Sequence, residues 1–253
     1  MTTTILGLNI HTTDYKSAAK LILNWSRAGE SRSVYAANVH MVMEAYDCHQ
    51  FREMVNYADL VTPDGMPLVW TLRLKGYRHQ TRVYGPTLTE KLLPILAAEG
   101  IPVGFLGGSP EVLDRLLQQV REKHPAINIV YAYSPPFRQL GADENQAMID
   151  HINQSGVRVL FVGLGCPKQE VWIHENLGRV RAVMLGVGAA FDFLAGTKRQ
   201  APAWVQRLGL EWLFRLTQEP RRLWRRYFYT NPRFVFLIIR ELWQEKAVKP
   251  REE

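Results

Sequence analysis

The sequence predicts an α/β protein with a Rossmann-like, mostly parallel sheet flanked by helices, followed by a basic helical C-terminal appendage. Three observations lead to this fold class. Short apolar runs of strand length alternate with longer segments of helical spacing, which favours a parallel sheet covered on both faces. Glycine or proline turns follow the strands, where such sheets bind their ligands. The C-terminal segment is rich in arginine and aromatic residues.

The length of 253 residues and the hydrophobic content of 47% are sufficient for one large domain or for one domain with an appendage. We expect a body of residues 1–196 and an appendage of residues 197–253. Residues 1–195 contain 18 Lys and Arg and 18 Asp and Glu, whereas residues 196–253 contain 13 and 6. The net charge of +7 therefore lies in the C-terminal segment, which indicates a localised anionic partner.

Six apolar runs bounded by turn residues predict the strands of the sheet. They are residues 33–37, 58–62, 102–106, 127–133, 157–162 and 182–187. Helical spacing between them predicts helices over residues 41–57, 87–99, 109–123 and 143–155. Ser109 is a typical N-cap, with Pro110 at the first helical position and Glu111 in the first turn, and Gly100 suits the end of the preceding helix.

The segment from Gly163 to Glu170 follows a buried strand and combines a glycine turn with the start of a helix. Pro167 suits the first turn of that helix, where a missing N–H group does no harm. Backbone N–H groups at a helix start point toward an anion; Lys168 adds a positive charge, and Gln169 adds a neutral donor and acceptor. This pattern is typical of a phosphate-binding turn, and a tight turn without a ligand has the same pattern.

Asp64 lies in the Thr62-Pro63-Asp64-Gly65 turn at the end of a predicted strand. Its carboxylate could accept a proton from an attacking hydroxyl group as a general base, although Asp is also common in turns for structural reasons alone. Arg82 could bind a phosphate, with an ordinary surface arginine as the alternative.

Asn38 and His40 come just after the first predicted strand. Asn38 could hydrogen-bond a sugar or a phosphate, or could cap the next helix, whereas His40 is more typical of a helix start or of packing. Asp192 follows a run of small residues that lets a ligand approach the backbone. It could accept hydrogen bonds from a ribose or a base, or interact with a helix dipole.

Missing motifs exclude several function classes. The first strand is not followed by G-x-G-x-x-G, and there is no G-x-x-x-x-G-K-[ST], which argues against a dinucleotide fingerprint and a P-loop NTPase. There is no G-x-S-x-G elbow, no H-E-x-x-H and no Asp-x-Asp. A mechanism without a metal or other cofactor, based on cationic and backbone donors, is therefore the better hypothesis.

Cysteine usage and hydropathy bear on the location of the protein. Cys48 and Cys166 predict no disulfide framework, which fits a reducing compartment. We see no signal peptide and no run of 18 apolar residues that would predict a membrane-spanning helix. We therefore expect a cytoplasmic protein.

The appendage is predicted to be helical over residues 202–212 and 221–243, with Pro220 and Pro232 as interruptions. Residues 221–228 mix arginines with large aromatic rings, a composition typical of a helix on an anionic membrane surface. A helix that docks on the body through its aromatic residues, with a solvated basic face, has the same composition. The two interpretations are compatible.

Three segments taken together resemble the WecG/TagA/CpsF glycosyltransferases, glycosyltransferase family 26. They are Pro63-Asp64-Gly65, Gly163-Leu164-Gly165-x-Pro167-Lys168-Gln169-Glu170 and Gly186-Val187-Gly188-x-x-Phe191-Asp192. The resemblance extends from Ile5 to the basic C-terminal segment. It implies inverting, metal-independent transfer of a hexose from a UDP-sugar to a polyprenyl-diphosphate-linked saccharide, at the inner face of the bacterial membrane. The products would be teichoic acid, enterobacterial common antigen or exopolysaccharide.

The resemblance also implies roles for individual residues. Asp64 matches the proposed general base, and Asn38 and Arg82 match catalytic or donor-binding positions. Gln169 and Asp192 match nucleotide-site positions. The candidates to stack on uracil are Tyr133 and Phe137, and the matches to an appendage that closes the site and binds the acceptor's diphosphate are Arg221, Arg222 and Arg225.

The mechanism that follows is a hypothesis. The acceptor hydroxyl attacks C1 of the donor sugar, and Asp64 takes the hydroxyl proton during the attack. The leaving diphosphate is stabilised by the Gly163–Gly165 turn and by Lys168 or Arg82, and Gly188 belongs to the small residues that let the nucleotide approach.

Ala36 and Ala37 stand where the family often has a threonine, so a donor contact from that hydroxyl is absent or replaced. N-acetylmannosamine, its uronic acid and glucose all stay open as the donor sugar. A nucleic-acid-binding protein and a nonenzymatic membrane scaffold are the alternatives from other classes. The oligomeric state, a homo-oligomer included, is open.

Overall fold

The computed structural model describes residues 1–138 and 140–248 and confirms the predicted fold class. Helices flank a six-stranded parallel sheet, and a two-stranded antiparallel hairpin precedes it. Residues 249–253, the end of the predicted appendage, lie outside the described residues.

All six predicted strands are present, as β3 to β8. In the described residues the strands are β1 (Thr2–Ile5), β2 (Leu8–His11), β3 (Arg32–Ala37), β4 (Leu60–Pro63), β5 (Val103–Gly107), β6 (Ile129–Tyr133), β7 (Val159–Gly163) and β8 (Val183–Gly186). The helices of the same residues are α1 (Tyr15–Ala28), α2 (Val39–Asp47), α3 (His49–Asn56), α4 (Met66–Leu74), α5 (Gly85–Ala98), α6 (Pro110–Lys123), α7 (Ala142–Gln154), α8 (Lys168–Glu175), α9 (Ala190–Leu194), α10 (Ala203–Arg207), α11 (Glu211–Gln218) and α12 (Pro220–Val248).

The strands of the large sheet lie in the order β4-β3-β8-β7-β5-β6, and every neighbouring pair is parallel. The central strands are almost entirely buried, as expected for a sheet covered on both faces. Because all six strands run in one direction, their carboxyl ends meet at one edge of the sheet.

Two apolar layers cover the sheet. In one of them, Phe105 and Phe161 stack with ring centroids 5.3 Å apart. The other layer includes the hairpin, α2 and the α12 residues Phe234, Leu237 and Ile238. Full burial of a large apolar side chain typically contributes roughly 1.5–3 kcal/mol, so these three residues hold α12 firmly on the body.

The predicted helix over residues 41–57 is wrong in its extent, because it consists of two helices. It begins earlier, since the Asn38 side chain accepts hydrogen bonds from the N–H groups of His40 and Met41, at 3.0 and 3.3 Å. Cys48 is extended, with φ −123° and ψ 106°, so the helix is interrupted there and α3 follows. The sequence patterns above do not predict the hairpin, α1 or α4.

The C-terminal helices also differ from the prediction. Gly209 breaks the expected helix over residues 202–212 into α10 and α11. Its φ is 69°, and a Cβ atom there would lie 2.5 Å from a ring atom of Trp70. Pro232 lies inside α12 and does not interrupt it, although proline removes one hydrogen bond of the helix; the residues Phe234, Leu237 and Ile238 that follow it are buried against the body.

Ion pairs and hydrogen bonds add to the attachment of α12. Arg233 Nη1 lies 2.6 Å from Asp47 Oδ2, and Lys75 pairs with Glu241. Glu241 also accepts a hydrogen bond from the Leu6 N–H group at 2.8 Å. The appendage is thus docked on the body, and its membrane contact stays a prediction. In the part of the chain that the structure describes, no helix combines the length and the apolar character needed to cross a membrane.

Candidate active site

The turns at the carboxyl edge of the sheet fall into two groups. The turns after β4 and β3, with Asp64 and Asn38, form what we call the cleft half. The turns after β8, β7 and β5 form the glycine half, which contains residues 186–188, 163–165 and 107–108. The order of the strands sets the two halves side by side.

Asp64 follows β4 and has only 8% of its surface exposed. Its Oδ1 atom accepts a hydrogen bond from the Gly85 N–H group at 2.7 Å, and its own N–H group donates to the Ala37 carbonyl oxygen at 2.8 Å. Gly85 is tightly packed, since a Cβ atom there would lie 3.2 Å from the Ala36 side chain. The carboxylate is therefore held in one position.

Burial raises the pKa of Asp64 to about 6, and the positive charge of Arg82 opposes this shift. The charge of Glu211 raises this pKa further, whereas the Gly85 hydrogen bond and Arg215 lower it. An aspartate with a pKa of about 6 is ionised at pH 7 but more basic than usual, which suits a general base.

Arg82 links the Asp64 turn to the appendage and is not an ordinary surface arginine. Its Nε atom donates to the Asp64 carbonyl oxygen. Its Nη2 atom donates to Glu211 at 2.6 Å, and Nη1 donates to Gln206 at 3.3 Å. The guanidinium carbon lies 3.9 Å from the centroid of the Tyr84 ring. Arg82 thus joins the body to α10 and α11.

A cavity of about 740 Å³ separates the cleft half from α10, α11 and α12. Most of its wall is apolar, and a small set of polar groups converges on it, as in many ligand sites. The polar lining residues are Asn38, His40, Asp64, Thr71, Arg82, Gln206, Glu211, Arg215, Arg226, Thr230 and Asn231. Its exposed aromatic rim includes Trp70, Trp212, Trp224 and Phe228.

Arg215 and Arg226 line this cavity and are missing from the residues selected on the sequence. Neither forms an ion pair within the described residues, and the Arg226 Nε atom is buried there without a hydrogen-bond partner. Burial and neighbouring arginines lower the pKa of Arg226. Helical phase could have identified it, because the buried residues Leu223, Thr230 and Phe234 place Arg226 on the inward side of α12.

Arg221, Arg222 and Arg225, by contrast, are exposed and do not line the cavity. Arg222 Nη2 lies 2.6 Å from Glu219, and Arg225 lies over the Trp224 ring at 5.4 Å. Their predicted role at the acceptor's diphosphate stays a prediction.

His40 and Asn38 lie in the cavity wall next to Asp64. Burial and the charge of Arg226 lower the pKa of His40 to about 4. Glu44 is 3.6 Å from its Nδ1 atom, but a neutral imidazole near pH 7 makes no ion pair with it. Asn38 caps α2, as one of its two interpretations from the sequence expected, and its side chain also lines the cavity.

The glycine half combines a hydrogen bond within one turn with close packing between turns. Gly163 has no room for a side chain, since a Cβ atom would lie 2.8 Å from Phe191. The Gly165 N–H group, with φ 82°, donates to Gln169 Oε1 at 3.2 Å. The Gln169 amide lies against Gly186 and near Gly188. Because these residues are small, the side chain of Gln169 can contact both the turn after β7 and the turn after β8.

Glu170 is fully buried behind this turn. Its Oε1 atom accepts a hydrogen bond from Gln169 Nε2 at 2.7 Å, and its Oε2 atom has no partner in the described residues. Burial raises the pKa of Glu170 to about 7 and that of the neighbouring Cys166 thiol above its usual range.

Pro167 directly precedes α8 and does not lie in its first turn as predicted. Its carbonyl oxygen accepts a hydrogen bond from the Val171 N–H group at 3.1 Å.

The other predicted nucleotide residues surround the glycine half. Lys168 is exposed at the start of α8. Asp192 lies near Lys198, whose Nζ atom is 3.2 Å from Oδ2. Tyr133, at the end of β6, is 41% exposed, and Phe137 is 84% exposed. An exposed ring can stack on a base without rearrangement of the core.

Two findings complete the description of the site. Among the described residues, no group of three His, Cys, Asp or Glu side chains is placed to hold a metal ion. Comparison with protein-family models matches residues 3–248 to the model described as "Glycosyl transferase WecG/TagA/CpsF family". The match covers the body and the described helices of the appendage.

Proposed function

The chain belongs to the WecG/TagA/CpsF family of glycosyltransferases, which act in cell-surface polysaccharide synthesis, and we propose that it transfers a hexose from a UDP-sugar to a polyprenyl-diphosphate-linked saccharide. The observation that carries this proposal is the position of Asp64. A buried carboxylate with a pKa of about 6 faces an apolar cavity that also contains arginines without ion-pair partners among the described residues.

The cavity suits an acceptor that is both apolar and anionic. Its wall is mainly apolar, which favours a polyprenyl chain. Arg215 and Arg226 supply positive charge inside it, and a diphosphate would give Arg226 the partner that it lacks within the described chain. The exposed rings of Trp70, Trp224 and Phe228 at the rim are suited to contact with a membrane from which such an acceptor would enter.

The donor fits the neighbouring glycine half. Backbone N–H groups at the start of α8 favour a diphosphate, and Lys168 is an exposed cation at the same place. The Gly165 N–H group already donates to Gln169. Gln169 and Asp192 are the candidate partners of the nucleoside, with Tyr133 or Phe137 as the stacking ring. A donor placed there would direct its sugar toward Asp64, since both halves share one edge of the sheet.

The reaction balances without a further reactant. The acceptor hydroxyl oxygen forms a bond to C1 of the sugar while the bond between C1 and the diphosphate oxygen breaks. Asp64 takes the hydroxyl proton, and UDP leaves with the bonding electrons. Attack from the face opposite UDP inverts the anomeric centre. A positioned general base typically contributes roughly 10²–10⁴-fold to such a rate.

A panel of UDP-sugars, including UDP-N-acetylmannosamine, its uronic acid and UDP-glucose, tests the proposal with a synthetic polyprenyl-diphosphate disaccharide. We expect transfer from one member of the panel and a β-linked product. The reaction should continue in excess EDTA; activity that is lost in EDTA and restored by Mn²⁺ would contradict the metal-independent mechanism. Absence of transfer from every donor would remove the proposed donor class.

A further inference from the structure

Glu211 is the one carboxylate of the appendage, among the described residues, that lines the cavity. It is the first residue of α11, and only 13% of its side chain is exposed. The carboxylate lies 2.6 Å from Arg82 Nη2. Glu211, 129 positions away along the chain, therefore contacts Arg82, the side chain that touches the Asp64 turn.

Arg82 has almost no freedom in this arrangement. Its Nε atom is fixed on the Asp64 carbonyl oxygen, one face of the guanidinium is covered by Tyr84, and Glu211 holds the far end. Gln206, the other appendage contact, is longer at 3.3 Å and carries no charge. Glu211 is therefore the dominant appendage contact of Arg82, because charge-assisted hydrogen bonds are the stronger class.

We propose that Glu211 is a positioning residue for the transfer reaction: it holds Arg82 against the Asp64 turn, so that the proton-accepting corner is complete only when α11 is docked on the body. This inference rests on the proposed function. Because Glu211 already compensates the charge of Arg82, the inference also assigns Arg82 to the Asp64 turn. Lys168 and the start of α8 then bind the leaving diphosphate.

Charged and titratable groups from several elements face Asp64. Arg82 and Tyr84 come from the segment before α5, Tyr15 from α1, and Glu211 and Arg215 from α11. Within this group the charge of Glu211 raises the pKa of Asp64 and so disfavours its ionised form, while Arg82 and Arg215 lower this pKa. Glu211 thus acts in two separable ways, through the position of Arg82 and through its own charge.

Hydrogen exchange tests the positional part without any substrate. In Glu211→Ala, Arg82 loses its charged partner, and we expect the Gly85 amide, which donates to Asp64 Oδ1, to exchange at least about tenfold faster. The matched control is Glu245→Ala, which removes another ion pair between the appendage and the body, with Lys75. Exchange of Gly85 should be unchanged in this control.

The rate and its pH dependence test the link to the reaction. Glu211→Ala should lower kcat/KM on the order of 10²-fold, as is typical when a catalytic group is misplaced by about 1 Å. Glu211→Gln keeps an acceptor for Arg82 but removes the charge that disfavours the Asp64 carboxylate. Its acid limb of kcat/KM should therefore move to lower pH.

Unchanged Gly85 exchange in Glu211→Ala, or a wild-type acid limb in Glu211→Gln, would overturn the inference. If the wild-type protein transfers no sugar from the panel, the proposed function fails. The exchange comparison then still decides whether Glu211 positions the Asp64 turn.

Discussion

The glycine half and the cleft half stand at the same sheet edge, but the side chains of Gln169 and Arg82 at their centres form hydrogen bonds over different distances along the chain. In the glycine half, Gly165 bonds to Gln169, and Gln169 bonds to its neighbour Glu170. In the cleft half, Arg82 contacts Glu211, 129 residues away. A site built from neighbours in sequence can therefore be identified from a motif, whereas a site shared with a docked segment cannot.

Each half contains a buried polar atom without a partner among the described residues, but only in the cleft half does such an atom line the cavity. In the glycine half this atom is Oε2 of Glu170, which is buried behind the turn, while Gln169 is hydrogen-bonded within its own turn. The cleft half contains a buried aspartate and an arginine whose Nε atom lacks a partner among the described residues. Groups left in this state are costly unless a ligand completes them. In the cleft half, substitutions that remove such groups should therefore raise stability and lower activity.

Asp64→Asn should have the largest effect and would most directly break the distinction between the halves. We expect turnover to fall roughly 10²–10⁴-fold, because the amide cannot accept the proton. UDP affinity, measured by calorimetry, should stay unchanged, since the glycine half is intact. Near-normal turnover would remove Asp64 as the base.

The same substitution has a stability consequence. The folded-state pKa of Asp64, about 6, lies above the usual 3.8. Its contribution to stability is therefore present below pH 3.8 and is lost as the pH rises through 6. The substituted asparagine side chain has no carboxylate to desolvate, so the free energy of unfolding at pH 7 should rise by about 1–3 kcal/mol. Denaturant titration at pH 5 and pH 7 checks this.

Arg226→Met tests whether the cavity arginines bind an anionic acceptor. We expect the KM for the polyprenyl-diphosphate acceptor to rise roughly 10–100-fold, as for loss of a charge-assisted hydrogen bond. The Tm should increase, because a buried charge without a partner in the described chain is replaced by an apolar side chain. Arg240→Met, an exposed substitution on the same helix, is the control. If Arg222→Met raises this KM and Arg226→Met does not, the exposed arginines selected by family resemblance bind the diphosphate and Arg226 does not.

The pH dependence of the wild-type enzyme distinguishes the halves by their titrating groups. Below a pH of about 6, kcat/KM should fall about tenfold per pH unit, because protonated Asp64 cannot act as a base. UDP binding should not follow this limb. A profile that is flat down to a pH of about 4.5 would contradict the role of Asp64.

Glu170→Gln should have the smallest effect and sharpens the description of the glycine half. The new amide can still accept from Gln169 but carries no charge, so UDP affinity should fall only about two- to fivefold, as for a neutral replacement of one charged hydrogen-bond acceptor. Glu175→Gln, exposed on the same helix, is the control. Loss of UDP binding by more than about 10²-fold would give Glu170 a direct role in binding.

Much of the glycine half could be predicted, because its pattern is local. Strand β7, the Gly163–Gly165 turn and the start of α8 follow one another in sequence, so periodicity and turn chemistry are sufficient. The break at Cys48 could not be predicted in the same way. Nothing in the composition of residues 41–57 marks it, and the helices on either side are fixed by their packing.

The cleft half shows where prediction from sequence ends. Asp64 could be selected because it stands at a strand end, yet its raised pKa depends on its burial in the folded chain. Helical phase distinguishes Arg226, on the inward side of α12, from its exposed neighbour Arg225, but only the docking of α12 places Arg226 in a cavity shared with Asp64.

The order of amino acids alone was sufficient to specify the parallel sheet, the turns at its carboxyl edge and the basic character of the C-terminal segment, because these depend on short-range backbone preferences and on composition. The placement of the inward face of α12 beside Asp64, and the contact between Glu211 and Arg82, were settled only by the packing of the folded chain. Both depend on the relative placement of whole helices, for which a single chain carries no periodic signal.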